Sequence, residues 1–210
     1  MSLWSWVFWF AAAYVVYTYA GYPLLLAAWA RIAGKGQSRK RVREFPFVSV
    51  IVTARNEAQS IREKLEDLLA QDYPADRMEI LVASDQSTDG TNEIVSEFAA
   101  RYPPRVRLVA YPENVGKSVA INRTVPLAAG EILVLSDARQ RVAPDAVRRL
   151  VAHFADPRVG VAGAEMTLVN ARGEASSECT GLYWRYERAL RRLEARLGLL
   201  TGVSGAFFAV

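Results

Sequence analysis

Three acidic residues, Glu57, Asp85 and Asp137, stand just after the first, second and fourth apolar strand-like runs of the chain. In an open α/β sheet of parallel strands, the carboxyl ends of the strands converge on one crevice, and ligands bind there. Carboxylates gathered at that edge suit a phosphate-bearing ligand carried with a divalent cation, because Mg2+-type ions take oxygen ligands shared with phosphates. Three short segments surround them. Ser84-Asp85-Gln86-Ser87-Thr88-Asp89-Gly90 is a polar strand-to-helix turn whose free N–H groups suit phosphate or ribose. The same Ser, Thr and Asp residues are equally favoured as plain helix caps. Asn114-Val115-Gly116-Lys117-Ser118 sets Gly before Lys at a helix start, but Tyr111 stands where a phosphate loop has its first glycine, which argues against a P-loop NTPase. In Ser136-Asp137-Ala138-Arg139, an Asp leaves a buried strand. That is costly unless the carboxylate is paired or metal-bound. A cation on a diphosphate satisfies it, and so does an ion pair with Arg139 or Arg141.

The elements that must position these residues are legible from periodicity. Strands are expected over Val48–Thr53, Glu79–Ala83, Val106–Ala110 and Ile132–Leu135, all β-branched or apolar. Helices are expected over 58–71, with Ile61, Leu65, Leu68 and Leu69 on one face, over Thr91–Arg101, and from Lys117 until Pro126 bends or shortens it. This β-α-β-α-β-α-β order implies parallel strands with right-handed crossovers, covered on both faces. Beyond it come a helix over Pro144–Phe154 and a strand over Val159–Ala162. An Arg- and Glu-rich helix spans Ser176–Leu197 with an i,i+4 pair Glu187–Arg191, and an incipient strand runs Gly205–Val210. An apolar strand is an unusual stopping point, so the chain is expected to continue past Val210.

The first 30 of the 210 residues carry no charged side chain. From Leu3 to Ala30 the run is apolar and long enough to cross a membrane. Trp4, Trp6, Trp9 and Trp29 lie near its ends, where interfacial tryptophans belong. Gly21 and Pro23 should weaken the helix in its second half. The run is too long for a cleavable signal peptide and lacks a basic leader. Arg31, Lys35, Arg39, Lys40, Arg41 and Arg43 follow, so the positive-inside rule places the rest of the chain in the cytoplasm and the N-terminus outside. Residues 45–210 then hold 20 basic against 21 acidic groups, so the net charge of +4 is juxtamembrane and does not indicate nucleic acid. The resulting domains are an anchor over 1–30, a basic linker over 31–45 and an α/β domain over 46–210. The single cysteine, Cys179, allows no intrachain disulfide, and one histidine with one cysteine forms no zinc set. His153 reads as a surface or packing residue.

In combination, the motifs resemble family 2 glycosyltransferases of the GT-A fold. Residues 46–57, from Pro46 through Thr53-Ala54-Arg55-Asn56-Glu57, look like that family's opening strand and nucleotide-contact turn. Ser84 to Thr91 is similar to its Asp-Asp-Gly-Ser-Thr-Asp-Gly-Thr loop. Asn114-Val115-Gly116-Lys117-Ser118-Val119-Ala120-Ile121-Asn122 matches its Asn-x-Gly-Lys-x-x-Ala-x-Asn segment, and Thr201 to Ala206 resembles its acceptor-side strand entry. The resemblance implies an open, mostly parallel sheet flanked by helices, and transfer of a sugar from a nucleotide-diphosphate donor, a UDP-sugar, to a glycan, polysaccharide or lipid acceptor with inversion. The implied donor-site residues are Ala54, Arg55, Glu57, Asp85, Lys117, Ser136 and Asp137. Glu57 and Asp85 face base and ribose, Lys117 the nucleotide, and Asp137 an Mg2+ or Mn2+ on the diphosphate. The implied setting is a bacterial inner membrane, with the general base in an acidic motif beyond Val210.

Two residues depart from the family pattern. Gln86 replaces an acidic residue or glycine, and Arg139 replaces the second Asp of Asp-x-Asp. Arg139 is expected to supply positive charge to the diphosphate and weaken metal dependence. It is also the hint for the alternative reading, a catalytically impaired nucleotide-sugar-binding or scaffold protein. A nucleotidyltransferase would need a Gly-rich basic loop after the first strand, where this chain has Ala54-Arg55-Asn56-Glu57.

Overall fold

The computed structural model describes residues 2–34, 44–165, 181–200 and 202–210. These fall into two compact units. One comprises the N-terminal helices and the segment 165–202, the other residues 39–164 with 203–210. The basic linker over 35–43, Cys179 and the start of the expected helix at Ser176 lie outside the described residues.

The second unit is built on a six-stranded sheet of order β3-β2-β1-β4-β6-β5. Strands β1 (Val48–Ala54), β2 (Met78–Asp85), β3 (Val106–Tyr111) and β4 (Ile132–Asp137) are parallel. Strand β6 (Phe207–Ala209) is antiparallel to both β4 and β5 (Ala162–Gly163). The mostly parallel sheet with flanking helices is the expected fold class. Helices α3 (Ala58–Leu69), α4 (Thr91–Arg101), α5 (Lys117–Thr124) and α6 (Ala146–Val151) connect the strands. Pro126 does end α5, which passes into a 3-10 turn at Val125–Leu127. The Pro144 helix begins two residues late, at Ala146, because the Pro144 carbonyl is taken by Asp72 N–H. The strand expected over Val159–Ala162 shrinks to Ala162–Gly163, since among the described residues it pairs only with the short β6.

Apolar residues fill both faces of the sheet, as its double cover requires. On one face Val48, Val50, Val52, Ile80 and Val82 are fully buried with Ile61, Leu65 and Leu68 of α3; on the other Ile51 and Ala83 are fully buried with Ala120 of α5. Each such side chain contributes about 1.5–3 kcal/mol relative to exposure. At the amino-terminal edge of the strands the buried Glu79 accepts from Ser49 Oγ at 2.6 Å and from Ala129 N–H at 2.7 Å, while Gly130 N–H donates to Ser49 Oγ at 2.8 Å. The chain passes so close here that a Cβ on Gly130 would lie 2.3 Å from Ser49 N.

The first unit carries the 31-residue apolar helix Leu3–Ala33. It comprises α1 (Leu3–Val16), a π-helical turn Tyr17–Gly21 and α2 (Tyr22–Ala33). The turn falls at the weak point that Gly21 and Pro23 mark. No residue of α1 is buried, whereas Leu26 and Ala30 of α2 are, and α2 packs against α7 (Leu182–Leu197). Tyr22 Oη donates to Glu194 at 3.0 Å, Tyr186 Oη to the Thr18 carbonyl at 3.3 Å, and Glu187–Arg191 pair at 2.6 Å. The apolar span is thus longer than Leu3–Ala30 by one turn.

Gly130→Ala is expected to destabilise the protein by about 1–3 kcal/mol, because the Ser49 backbone cannot retreat from the added methyl. A urea-unfolding midpoint indistinguishable from that of the parent chain would contradict this.

Candidate functional site

Register decides which side chains meet. Thr53 lies opposite Asp137 and Ala54 opposite Ser84, so β1, β2 and β4 release their loops at one level. The loop after β1 turns at Asn56, whose φ of 53° is left-handed, a conformation Asn tolerates better than most residues. Its side-chain oxygen accepts from Thr88 N–H at 2.9 Å. Asn56 N–H donates to Ser87 Oγ at 3.1 Å, Glu57 N–H to Thr91 Oγ1 at 2.9 Å, and Ala58 N–H to Asp89 at 2.9 Å. Asp89 also accepts from Thr91 Oγ1 and N–H, and these bonds hold its carboxyl below the usual range. Asp89 is therefore a cap that laces two loops together.

Asp85, 6% exposed, ends β2. One carboxylate oxygen accepts from Val115 N–H at 2.8 Å, the other from Gly116 N–H at 2.9 Å. This bidentate clasp fixes the turn that opens α5. Gly116 has φ 81°, which a glycine adopts without strain, and the next residue is Lys117. Asp85 thus positions Lys117, and Lys117 Nζ in turn forms an ion pair with Asp137.

The sequence left Asp137 to a cation or to Arg139 or Arg141; its partner is Lys117. Arg139 Nε instead donates to Glu57 at 2.7 Å, and Arg141 forks onto Asp67 at 2.7 and 2.8 Å and reaches Glu63. Arg55 is exposed, Ala54 and Ser136 are buried at the strand ends, and Glu57 keeps 13% of its side chain exposed. The expected site residues are thus gathered along one edge. A cavity of about 150 Å3 opens there, lined by Thr53, Lys117, Ser136, Asp137, Gly205 and Phe208. Drug-sized ligands occupy about 300–1,000 Å3, so this space alone is smaller than such a site, and Ile51, Ile121 and Leu135 also line it.

Lys64 was not legible as a site residue. It is 1% exposed on α3, its Nζ donates to the Gln140 carbonyl at 2.8 Å, and it lies 5.6 Å from the Phe207 ring centroid. Burial pushes its pKa down to about 8, against the pull of Asp67 and Asp137 and with the push of Arg141. A signal was present: Lys64 falls within the apolar stripe Ile61, Leu65, Leu68. Burial works to raise the Asp67 pKa, but the Arg141 fork and Val142 N–H outweigh it and hold that carboxyl below its usual range. Together these groups fasten the loop after Asp137 to α3. Among the described residues, no group of three or more His, Cys, Asp or Glu side chains is disposed to hold a metal ion.

The family model described as glycosyl transferase family 2 matches residues 49–209. A beta-monoglucosyldiacylglycerol synthase of Nostoc sp. is 34% identical over 128 residues, covering 60% of this chain and 27% of that protein. A probable glycosyltransferase, YdaM, of Bacillus subtilis is 34% identical over 136 residues, covering 63% and 32%. The structure of the mannosyltransferase PcManGT from Pyrobaculum calidifontis, in complex with GDP-Man and Mn2+, superposes with TM-score 0.72 and 30% identity over 94% of this chain and 54% of that one. TarS 1-349 of S. aureus with UDP-GlcNAc gives TM-score 0.54 and 28% identity, covering 62% and 37%. The chain spans about a quarter to a third of those curated relatives.

The depressed Lys64 pKa has a definite sign. Between about 8 and the ordinary 10.5 the unfolded chain binds more protons at this residue, so its contribution to stability rises with pH through that window and is flat below it. The stability difference between parent and Lys64→Met should shift in favour of the parent by about 1 kcal/mol per pH unit above pH 8. Parallel stability–pH curves for the two proteins from pH 7 to 10 would show Lys64 to be ordinary.

Proposed function

We propose that this chain, which belongs to glycosyl transferase family 2, transfers a sugar from a nucleoside-diphosphate donor, a UDP-sugar, to a glycan, polysaccharide or lipid acceptor with inversion. The observation that carries the reading is the Asp85–Val115/Gly116 clasp, which sets Lys117 against Asp137 at the carboxyl edge of the sheet. The nucleoside end of the donor is assigned to Ala54, Arg55, Glu57 and Asp85, the diphosphate end to Lys117, Ser136 and Asp137. The acceptor hydroxyl attacks the anomeric carbon in line, and the bond to the diphosphate oxygen breaks. Lys117 meets the charge that appears on the departing nucleoside diphosphate, a form of stabilisation that is strongest when the donor group is already in place. The carboxylate that takes the hydroxyl proton is not assigned to a residue of this chain. An Mg2+ or Mn2+ on Asp137 is the family expectation, and PcManGT was solved with Mn2+. Here the donor set is one carboxylate already paired with Lys117, two residues from a cationic Arg139. That set does not fit a resident metal.

The helix Leu3–Ala33 is about 46 Å long, against a hydrocarbon core of about 30 Å. We place the bilayer span in α1 and the π turn, and α2 with α7 at its cytoplasmic face, because burial begins only in α2. The Nostoc relative is named for a glucosyldiacylglycerol, which favours a lipid acceptor at that surface.

Membranes carrying the full-length protein, incubated with radiolabelled UDP-sugars or GDP-mannose and lipid extract, should label lipid or polymer. Asp137→Asn should lower kcat by about a hundredfold or more. Nucleotide binding with no transfer from any donor would favour the binding-protein alternative, for which Arg139 is the specific observation. Alkaline carbonate should leave the full chain in the membrane pellet and release a variant lacking residues 2–33; release of the full chain would refute the anchor.

A further inference from the structure

This edge carries four charged side chains in two ion pairs: Lys117 with Asp137, and Arg139, two residues after Asp137, with Glu57. Their net charge is zero. A carboxylate at 139 would leave the same group with two net negative charges, which is what draws a divalent cation into a site whose remaining ligands are phosphate oxygens. A neutral group containing two cations has no such pull. It does have the donors a diphosphate needs. Arg139 uses Nε toward Glu57, and its side chain is 73% exposed, so the guanidinium is anchored on one edge while the fork of terminal nitrogens remains for a ligand. That fork matches two phosphate oxygens at once. Lys117 is half-exposed and held in place from behind by Asp85 through the Val115-Gly116 turn.

The loop bearing Arg139 is not free to swing away. Lys64 Nζ holds the Gln140 carbonyl, and Asp67 accepts from both Arg141 and Val142 N–H. Arg139 is therefore presented from a fixed backbone, and Glu57 fixes its outer end.

We propose that this chain binds the diphosphate of its nucleotide donor directly through Lys117 and Arg139, with Asp137 and Glu57 as the positioning residues that orient those cations, and that a divalent metal is not required for donor binding. The inference rests on the donor reading above and goes beyond it in naming which groups take the charge. Asp137 is then a partner of Lys117 rather than a metal ligand, and Glu57 holds Arg139 in place of the nucleoside contact assigned to it above.

The test is calorimetric titration of UDP and of GDP into the detergent-purified full chain, in EDTA and in Mn2+, with melting curves to show that each variant is folded. One nucleotide should bind in EDTA with a Kd within about threefold of that in Mn2+. Arg139→Ala should weaken binding in EDTA by about ten- to a hundredfold, and Arg139→Lys, which keeps the charge and loses the fork, by less. Arg139→Asp should make binding depend on Mn2+ by about tenfold or more. If EDTA abolishes parent binding, Mn2+ restores it and Arg139→Ala binds like the parent, the inference is overturned and the donor reading stands. If neither nucleotide binds with or without Mn2+, both are overturned.

Discussion

The double-sided pairing of β1 is the constraint from which the site follows. This strand is buried throughout most of its length and is registered against β2 on one side and β4 on the other, residue by residue from Val48. Because all three run parallel, their last residues finish level, and whatever follows each strand is delivered to the same edge. Thr53 opposite Asp137, and Ala54 opposite Ser84, are the points where that geometry becomes chemistry. A slip of one residue on either side would turn the Asp85 or Asp137 side chain to the other face of the sheet. The apolar core and the placement of the acidic groups are one arrangement seen from two ends.

Helix α3 adds the second layer of control. Its inward face is apolar, but at its edges Glu63, Lys64, Asp67 and, just past its end, Gln71 reach across to the loop that leaves β4. Gln71 bonds the Ala143 carbonyl at 2.9 Å and Val147 N–H at 3.1 Å, extending the fastening that Lys64 and Asp67 begin. A loop so tied keeps its side chains where they are before any ligand arrives, which lowers the ordering cost of binding. The burial of an ammonium in Lys64 is unfavourable by itself and is tolerated because the carbonyl it holds belongs to that loop.

The fold was largely legible because its strands are continuous β-branched runs broken by polar turns, a pattern that parallel sheets impose. The helices were legible for the same reason, and their ends shifted by a few residues where a hydrogen bond intervened, as at Pro144. The expected site residues fall along one edge of the sheet, but their partners were not legible. Asp85 has the same sequence signature whether it faces a ligand or clasps Val115 and Gly116, and only the closing distance of the β3–α5 turn distinguishes the two. Likewise Asp137 had Arg139 as its neighbour in sequence, yet its ion pair is with Lys117 at the start of α5. Sequence separation carries no information about such cross-loop pairs. Lys64 was missed because a charged residue in an apolar stripe reads as an imperfection of the pattern until its carbonyl acceptor is seen.

Strand β6 has a consequence for how the protein is made. It closes β4 on its open side and is, among the described residues, the only partner of β5, yet the whole stretch from Ala138 to Ala206 separates it from β4 in sequence. As the chain leaves the ribosome, β1 to β4 can assemble while β4 still presents an unpaired, apolar edge, the kind of surface that templates mispairing with other chains. Through the synthesis of that stretch the β4 edge has no partner from the other described strands until Phe207, Phe208 and Ala209 arrive.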